Sequence, residues 1–158
     1  MNIFILSEDP EKAAQMQCDQ HIVKMTLETA QILCSVFVEH KAPYKRTHYN
    51  HPCNVWARES KSNFLWLYKH GKALAKEYTY RYQKEHKSEK IIDWCHKNIN
   101  LIQFKQTKTT PFALAMDEKY KENTAVKSYR NFYIKDKSRF AKWNKNRKPP
   151  LWYSKKVN

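Results

Sequence analysis

A chain of 158 residues with 30 Lys+Arg against 15 Asp+Glu has a net charge of +15 at neutral pH, an imbalance that costs self-repulsion and points to a polyanionic partner. It has one glycine, Gly71. Hairpin turns, P-loops and dinucleotide-binding turns all lean on glycine, so that count argues against an all-β fold, a P-loop and a Rossmann motif together.

The length fits a single domain over residues 1–158, and the patterning below predicts an all-α or nearly all-α fold. Asn2–Leu6 reads as a short extended lead. Asp9 then caps a helix with Pro10 at its first position, and the apolar period carries that helix to about Glu39 or His40. Lys41–Cys53 is a loop punctuated by Pro43 and Pro52. Asn54 caps a short helix through Arg58, a long helix follows from about Ser62 to Gln83, and Ser88 caps another that carries Ile91, Ile92, Trp94 and Cys95. Residues 100–111 read as irregular. A last long helix covers roughly Thr124 to Trp143, followed by a basic tail from Asn144 to Asn158. No apolar run reaches a transmembrane length and no signal peptide opens the chain. The scattered cysteines Cys18, Cys34, Cys53 and Cys95 therefore read as reduced thiols, and the expected setting is the cytoplasm of a cell or an infected host.

On the first helix, Gln17, His21, Lys24, Glu28 and Gln31 fall on one narrow line, flanked by two apolar stripes. That line is either a plain solvent face or the floor of a cleft. In a cleft it offers a proton donor, a cation and a carboxylate on successive turns. Glu28 stands about 19 residues into this helix, roughly 28 Å from its start, and eight extended residues span about 26–29 Å. A lead folded back along the helix would bring the α-amine to Glu28. An α-amine titrates near about 7.7–8.0 and so offers a partly neutral nucleophile at physiological pH.

Three further groups have bland and functional readings side by side. His48, His51 and Cys53 could hold a zinc ion, but no fourth ligand has a diagnostic spacing, and the alternative is a loop anchored by local hydrogen bonds. The aromatics from Phe64 to Tyr82 recur at helical spacing and read mainly as core, with Arg58 and Arg81 better placed for phosphate than any ring. The lysines and arginines of the tail, Arg147 among them, read as solvated charge that adds salt-sensitive, sequence-independent affinity.

Asp19-Gln20-His21 followed by Glu28 seven residues after the histidine, together with Pro150-Leu151-Trp152-Tyr153 near the end, resembles the phage-type pyrimidine-dimer DNA glycosylases, also called endonuclease V. Members are small, basic, helical and single-domain. The resemblance implies a DNA glycosylase with AP lyase activity acting on duplex DNA. In it the N-terminal α-amine, of Met1 or of Asn2 after methionine removal, forms a Schiff base at C1′, and Glu28 manages protons. It implies further that Gln20 and His21 belong to the substrate groove and that Trp152 and Tyr153 lie against the lesion. Leu27 and Gln31 stand where the family places arginines, which leaves Lys24 as the cation of that helix. Gln31 and Arg58 complete the expected DNA-binding set. No cofactor and no metal are expected, and the chain is read as a monomer. A metal-dependent nuclease centred on His48, His51 and Cys53 and a non-catalytic nucleic-acid-binding protein are the rival readings.

Overall fold

The computed structural model describes residues 1–157. Among them are seven α-helices, α1 (Pro10–Met16), α2 (Asp19–Ser35), α3 (Pro52–Glu59), α4 (Lys61–Tyr82), α5 (Glu89–Lys97), α6 (Ala125–Lys135) and α7 (Leu151–Val157), joined by short 3₁₀ turns and irregular segments. There is no sheet among the described residues; the nearest approach is an isolated bridge between Ser60 and Gln106. The helical class expected from glycine scarcity and 3.6-residue periodicity is the one observed.

Helix starts follow local chemistry. The Asp9 carboxylate accepts from the amides of Glu11 and Lys12 at 2.9 and 3.0 Å, with Pro10 at the first position. Ser60 Oγ accepts from Asn63 N at 3.0 Å to start α4, and Thr124 Oγ1 does the same for α6 through Lys127 N at 3.2 Å. These contacts satisfy amides that a helix N-terminus otherwise leaves open. The short helix α3 begins two residues before the expected Asn54. His51 is its cap, with Nδ1 accepting from Cys53 N at 3.1 Å and Pro52 at the first position.

The longest predicted helix is corrected twice. It breaks at Gln17 and Cys18, both extended, and it ends at Ser35 rather than Glu39 or His40. The break survives because tertiary partners take up the freed backbone groups. Arg81 donates to the carbonyls of Gln15 and Gln17 at 2.9 and 2.8 Å, Trp143 Nε1 to Met16 O at 3.2 Å, and Tyr133 Oη accepts from Cys18 N at 3.3 Å. Buried backbone groups must be paired, and here distant residues do it. The last predicted helix is shortened in the same way: α6 stops at Lys135, and Lys137–Arg139 is a 3₁₀ turn. Part of the expected tail is itself helical, as α7.

Helix α4 packs against α1, α2, α3 and α5 and organises the core. Gly71 lies where α4 passes closest to its neighbours: a Cβ there would meet Thr29 Cγ2 at 2.8 Å and Ile92 Cδ1 at 3.1 Å. The chain's one glycine thus serves close helix approach. The N-terminal lead does not run over the surface. Ile3, Phe4, Ile5 and Leu6 are all buried, and each such side chain contributes about 1.5–3 kcal/mol by leaving water. Phe4 adopts a left-handed conformation with φ 59°, costly for a bulky residue by roughly 1–2 kcal/mol. Its ring stacks on His21 at 4.4 Å and meets Tyr133 edge-on at 5.4 Å. The lead is therefore pinned between α2 and α6, and its first residues are aimed at the middle of α2.

Candidate active site

The lead ends at Glu28. The Met1 amine lies 3.8 Å from Glu28 Oε2, the Asn2 amide donates to the same oxygen at 3.0 Å, and Lys24 Nζ is 3.6 Å from Oε1. Asn2 holds this arrangement from the side. Its Nδ2 donates to Ala115 O at 2.8 Å, and its Oδ1 accepts from Ile3 N at 2.8 Å. Asn54, buried on α3, donates to Thr47 O and His48 O at 3.0 and 2.8 Å and to Met1 Sδ at 3.3 Å. One asparagine thus ties the 47–48 loop to the first residue.

Above Glu28 opens a cavity of about 530 Å³. Met1, Asn2, Gln20, His21, Lys24 and Glu28 contribute to its walls, and so do Phe132, Lys137, Arg139 and Phe140 from the far end of the chain. The cavity is aromatic at its sides and cationic at its rim. Lys24 and Arg139 are exposed there. Lys137 pairs with Asp136 at 2.8 Å and lies 4.4 Å over the Phe132 ring. A carboxylate and an amine side by side, with cations around them and room above, can hold a phosphate-bearing ligand and exchange a proton with it.

His21 differs from its expected role as a proton donor that charges and discharges. Burial, then the nearby Lys137 and Lys24, lower its pKa to about 3, so the ring is neutral at physiological pH. Its Nδ1 is 2.6 Å from Tyr133 Oη.

Of the expected line, His21, Lys24 and Glu28 share the cavity, while Gln17 and Gln31 do not. The break after α1 takes Gln17 away, and its Nε2 bonds Ile3 O and His70 Nε2, both at 3.2 Å. Gln31 sits in a separate shallow depression with Pro43 and Tyr44. Arg58 is spent on Tyr49, whose ring it covers at 3.9 Å and whose carbonyl it bonds; it lies outside the cavity. Arg81 is not a phosphate ligand: its side chain is fully buried against Asp19, at 3.1 Å, and Glu77, at 2.9 Å. Arg147, expected to be solvated, also pairs with Glu77.

Trp152 and Tyr153 stand apart from the cavity. Tyr153 is buried against Trp143 at 4.7 Å between ring centroids, and Trp152 meets Tyr133 edge-on at 6.2 Å, with Arg130 at 5.2 Å. The apolar area of the rings is used for packing, and neither lines the cavity. His48, His51 and Cys53 do not converge. His48 Nδ1 bonds Thr47 Oγ1 at 2.7 Å, His51 caps α3, and Cys53 Sγ turns inward to Asn2 Oδ1 at 3.9 Å. Burial pushes the Cys53 thiol up to about 12. No group of three His, Cys, Asp or Glu residues with metal-binding geometry occurs among the described residues.

Sequence reading did not find Phe4, Phe132, Lys137, Arg139 or Phe140 for this site. A faint signal existed in the cation-aromatic run Lys137–Phe140, hidden by its assignment to a helix. No helix among the described residues is long and apolar enough to cross a membrane.

A family model described as pyrimidine dimer DNA glycosylase matches residues 1–90, more than half of the chain. Comparison with curated proteins and with solved structures returns no match. The matched stretch carries Glu28, His21, Lys24 and the lead, whereas the other wall of the cavity lies beyond it.

Proposed function

Because this chain belongs to the pyrimidine dimer DNA glycosylase family, we propose that it excises damaged or modified pyrimidines from duplex DNA and then cuts the strand as an AP lyase through its own N-terminal amine. The observation that carries this reading is the approach of the Met1 amine to the buried Glu28 carboxylate at 3.8 Å, on the floor of a cation-rimmed cavity.

In the proposed reaction the neutral amine attacks C1′, forming an N–C1′ bond while the glycosidic bond breaks and its electron pair leaves with the base. The amine proton passes to Glu28. The C1′–O4′ bond then breaks as Glu28 returns that proton to O4′, leaving a protonated imine between the amine nitrogen and C1′. Glu28, again a carboxylate, takes a proton from C2′. The C3′–O bond then breaks and the 3′ phosphate departs. Lys24, Lys137 and Arg139 hold backbone phosphates in place during these steps. Lys137 and Arg139 supply from the C-terminal half the cations that Leu27 and Gln31 do not supply from α2.

Either form of the N-terminus suits this chemistry. With Met1 retained, its amine is the nucleophile. With Met1 removed, the Asn2 nitrogen, 3.0 Å from Glu28 Oε2, becomes the amine. Borohydride reduction during incubation with a duplex carrying a pyrimidine dimer should trap a covalent protein–DNA adduct, and peptide mass spectrometry should locate it on residue 1 or 2. Selective acetylation of the α-amine should abolish the adduct. Adducts that survive acetylation but disappear in Lys24→Ala would transfer the nucleophile to Lys24. Excision that needs EDTA-removable metal would speak against the reading altogether.

A further inference from the structure

The proposed chemistry assigns roles to the amine, to Glu28 and to the cations, but it leaves the departing base without a partner. The one neutral polar ring in the cavity wall is His21. Its Nδ1 lies 2.6 Å from Tyr133 Oη, and Nε2 has no hydrogen-bond partner among the described residues. Tyr133 is fully buried on α6. Its oxygen accepts from Cys18 N at 3.3 Å, and its own hydrogen has two acceptors in reach, His21 Nδ1 at 2.6 Å and Cys18 Sγ at 3.7 Å. A nitrogen lone pair at 2.6 Å is much the better acceptor than a thiol sulfur a full ångström farther away. The short contact favours the hydroxyl as donor to Nδ1, and a neutral imidazole that accepts at Nδ1 carries its proton on Nε2. Phe4 stacked at 4.4 Å and Phe140 edge-on at 5.4 Å keep the ring from turning over.

We propose that Tyr133 is a positioning residue that locks His21 as an Nε2–H donor, and that this donor receives a carbonyl oxygen of the pyrimidine being expelled. The proposal rests on the glycosylase reading for its ligand, though not for its tautomer. A phosphate oxygen is the poorer candidate, since Lys24, Lys137 and Arg139 in the same wall are the stronger partners for an anion. A neutral donor suits an acceptor that begins uncharged. As the glycosidic bond breaks, the electron pair spreads onto the pyrimidine carbonyls, and a donor already in place binds the base more strongly as that charge grows. The proton stays on Nε2 throughout. His21 stabilises the leaving group and does not protonate it.

The tautomer is read first, on the full wild-type chain without substrate, from the imidazole nitrogen shifts of ¹⁵N-histidine-labelled protein. Nδ1 is expected in the unprotonated range and Nε2 in the N–H range; the reverse assignment overturns the proposal. Tyr133→Phe keeps the ring and removes only the hydroxyl. With thermal unfolding as the control for folding, it should lose excision of a pyrimidine dimer by roughly 10- to 100-fold in kcat, less than the about 10²–10³-fold loss on deleting an oxyanion donor outright, with KM nearly unchanged. Strand cleavage at a preformed abasic site, which has no base for His21 to meet, should be unaffected. Equal loss on both substrates overturns the assignment to the base. His21→Gln keeps an N–H donor and should retain more excision than His21→Ala; equal loss in the two overturns the donor role. Failure of the wild-type chain to excise dimers removes the glycosylase reading and the ligand with it. That outcome is told apart from a wrong tautomer because the nitrogen shifts need no substrate.

Discussion

Two clusters of buried charge sit on α2, and they are built from the same kinds of group to opposite ends. At its first turn Asp19 meets Arg81, which also holds Glu77, and Glu77 in turn takes Arg147. Its groups are densely paired: Asp19 Oδ2 accepts from Asn144 N at 2.7 Å, and the guanidinium of Arg81 also bonds two backbone carbonyls. Burial pushes the Glu77 carboxyl up, but the guanidinium groups of Arg147 and Arg81 more than reverse this and hold it below the usual carboxylate range. Nine residues further along, Glu28 meets the Met1 amine at 3.8 Å and Lys24 at 3.6 Å, both outside ordinary hydrogen-bond distance, with a cavity of about 530 Å³ above. The first cluster is closed and densely bonded, and so it fastens the break between α1 and α2 to α4. The second is loose and open, and so it has room for a reacting molecule. Charge and burial are common to both. What separates them is how closely the charged groups engage one another and whether space is left beside them.

The largest expected effect breaks the open cluster. Glu28→Gln keeps size and most hydrogen bonding but removes the proton acceptor. Strand cleavage measured by gel assay should fall by about 10²–10⁴-fold, while affinity for undamaged duplex by anisotropy stays within about twofold, since a single buried carboxylate is no part of the phosphate contacts. Near-normal cleavage would make Glu28 as structural as Asp19. The closed cluster should answer in stability instead. Arg81→Ala leaves Asp19 and Glu77 buried beside an empty space, and removing one partner of a buried network costs about 3–5 kcal/mol. Chemical denaturation should show that loss. A variant that folds with undiminished stability would mean that the network is replaceable by water.

Tyr153→Ala tests whether the C-terminal aromatic segment belongs to packing or to the ligand surface. Buried against Trp143, Tyr153 should cost stability at or below the roughly 3–5 kcal/mol of a large aromatic deletion, and residual excision per folded molecule should be close to wild type. A stable variant that no longer binds damaged DNA would return Tyr153 to the lesion.

The remaining prediction concerns pH. Burial lowers the pKa of His21 to about 3 and of His70 to about 4, against about 6.5 in an unfolded chain. Between these values the unfolded state binds more protons, so stability rises with pH. The contribution is complete above about 6.5 and is lost progressively as pH falls toward 4 and then 3. Unfolding midpoints should therefore drop only slightly from pH 7.5 to 6 and steeply from 6 to 4. In His70→Gln the fall should be shallower; an unchanged profile would place the acid sensitivity in other groups.

The sequence by itself determined the helical class, the helix starts at Asp9-Pro10, near Ser60 and at Thr124, and the polar turns that bear His21, Lys24 and Glu28. Each of these depends on neighbours within about one helical turn, through capping chemistry and the 3.6-residue period. Only the tertiary structure decided the rest. Whether the helix continued past Met16 depended on Arg81, Tyr133 and Trp143 taking over its backbone groups, partners more than sixty residues away. That Gln17 left the line, that Arg81 and Tyr153 were buried, and that Phe132, Lys137 and Arg139 came to face Glu28 follow from the same cause. Periodicity tells which side chains share a face of one helix. What covers that face, and whether it leaves a cavity, is set by packing between segments distant in the chain, where hydrogen-bond pairing and excluded volume must be satisfied all at once.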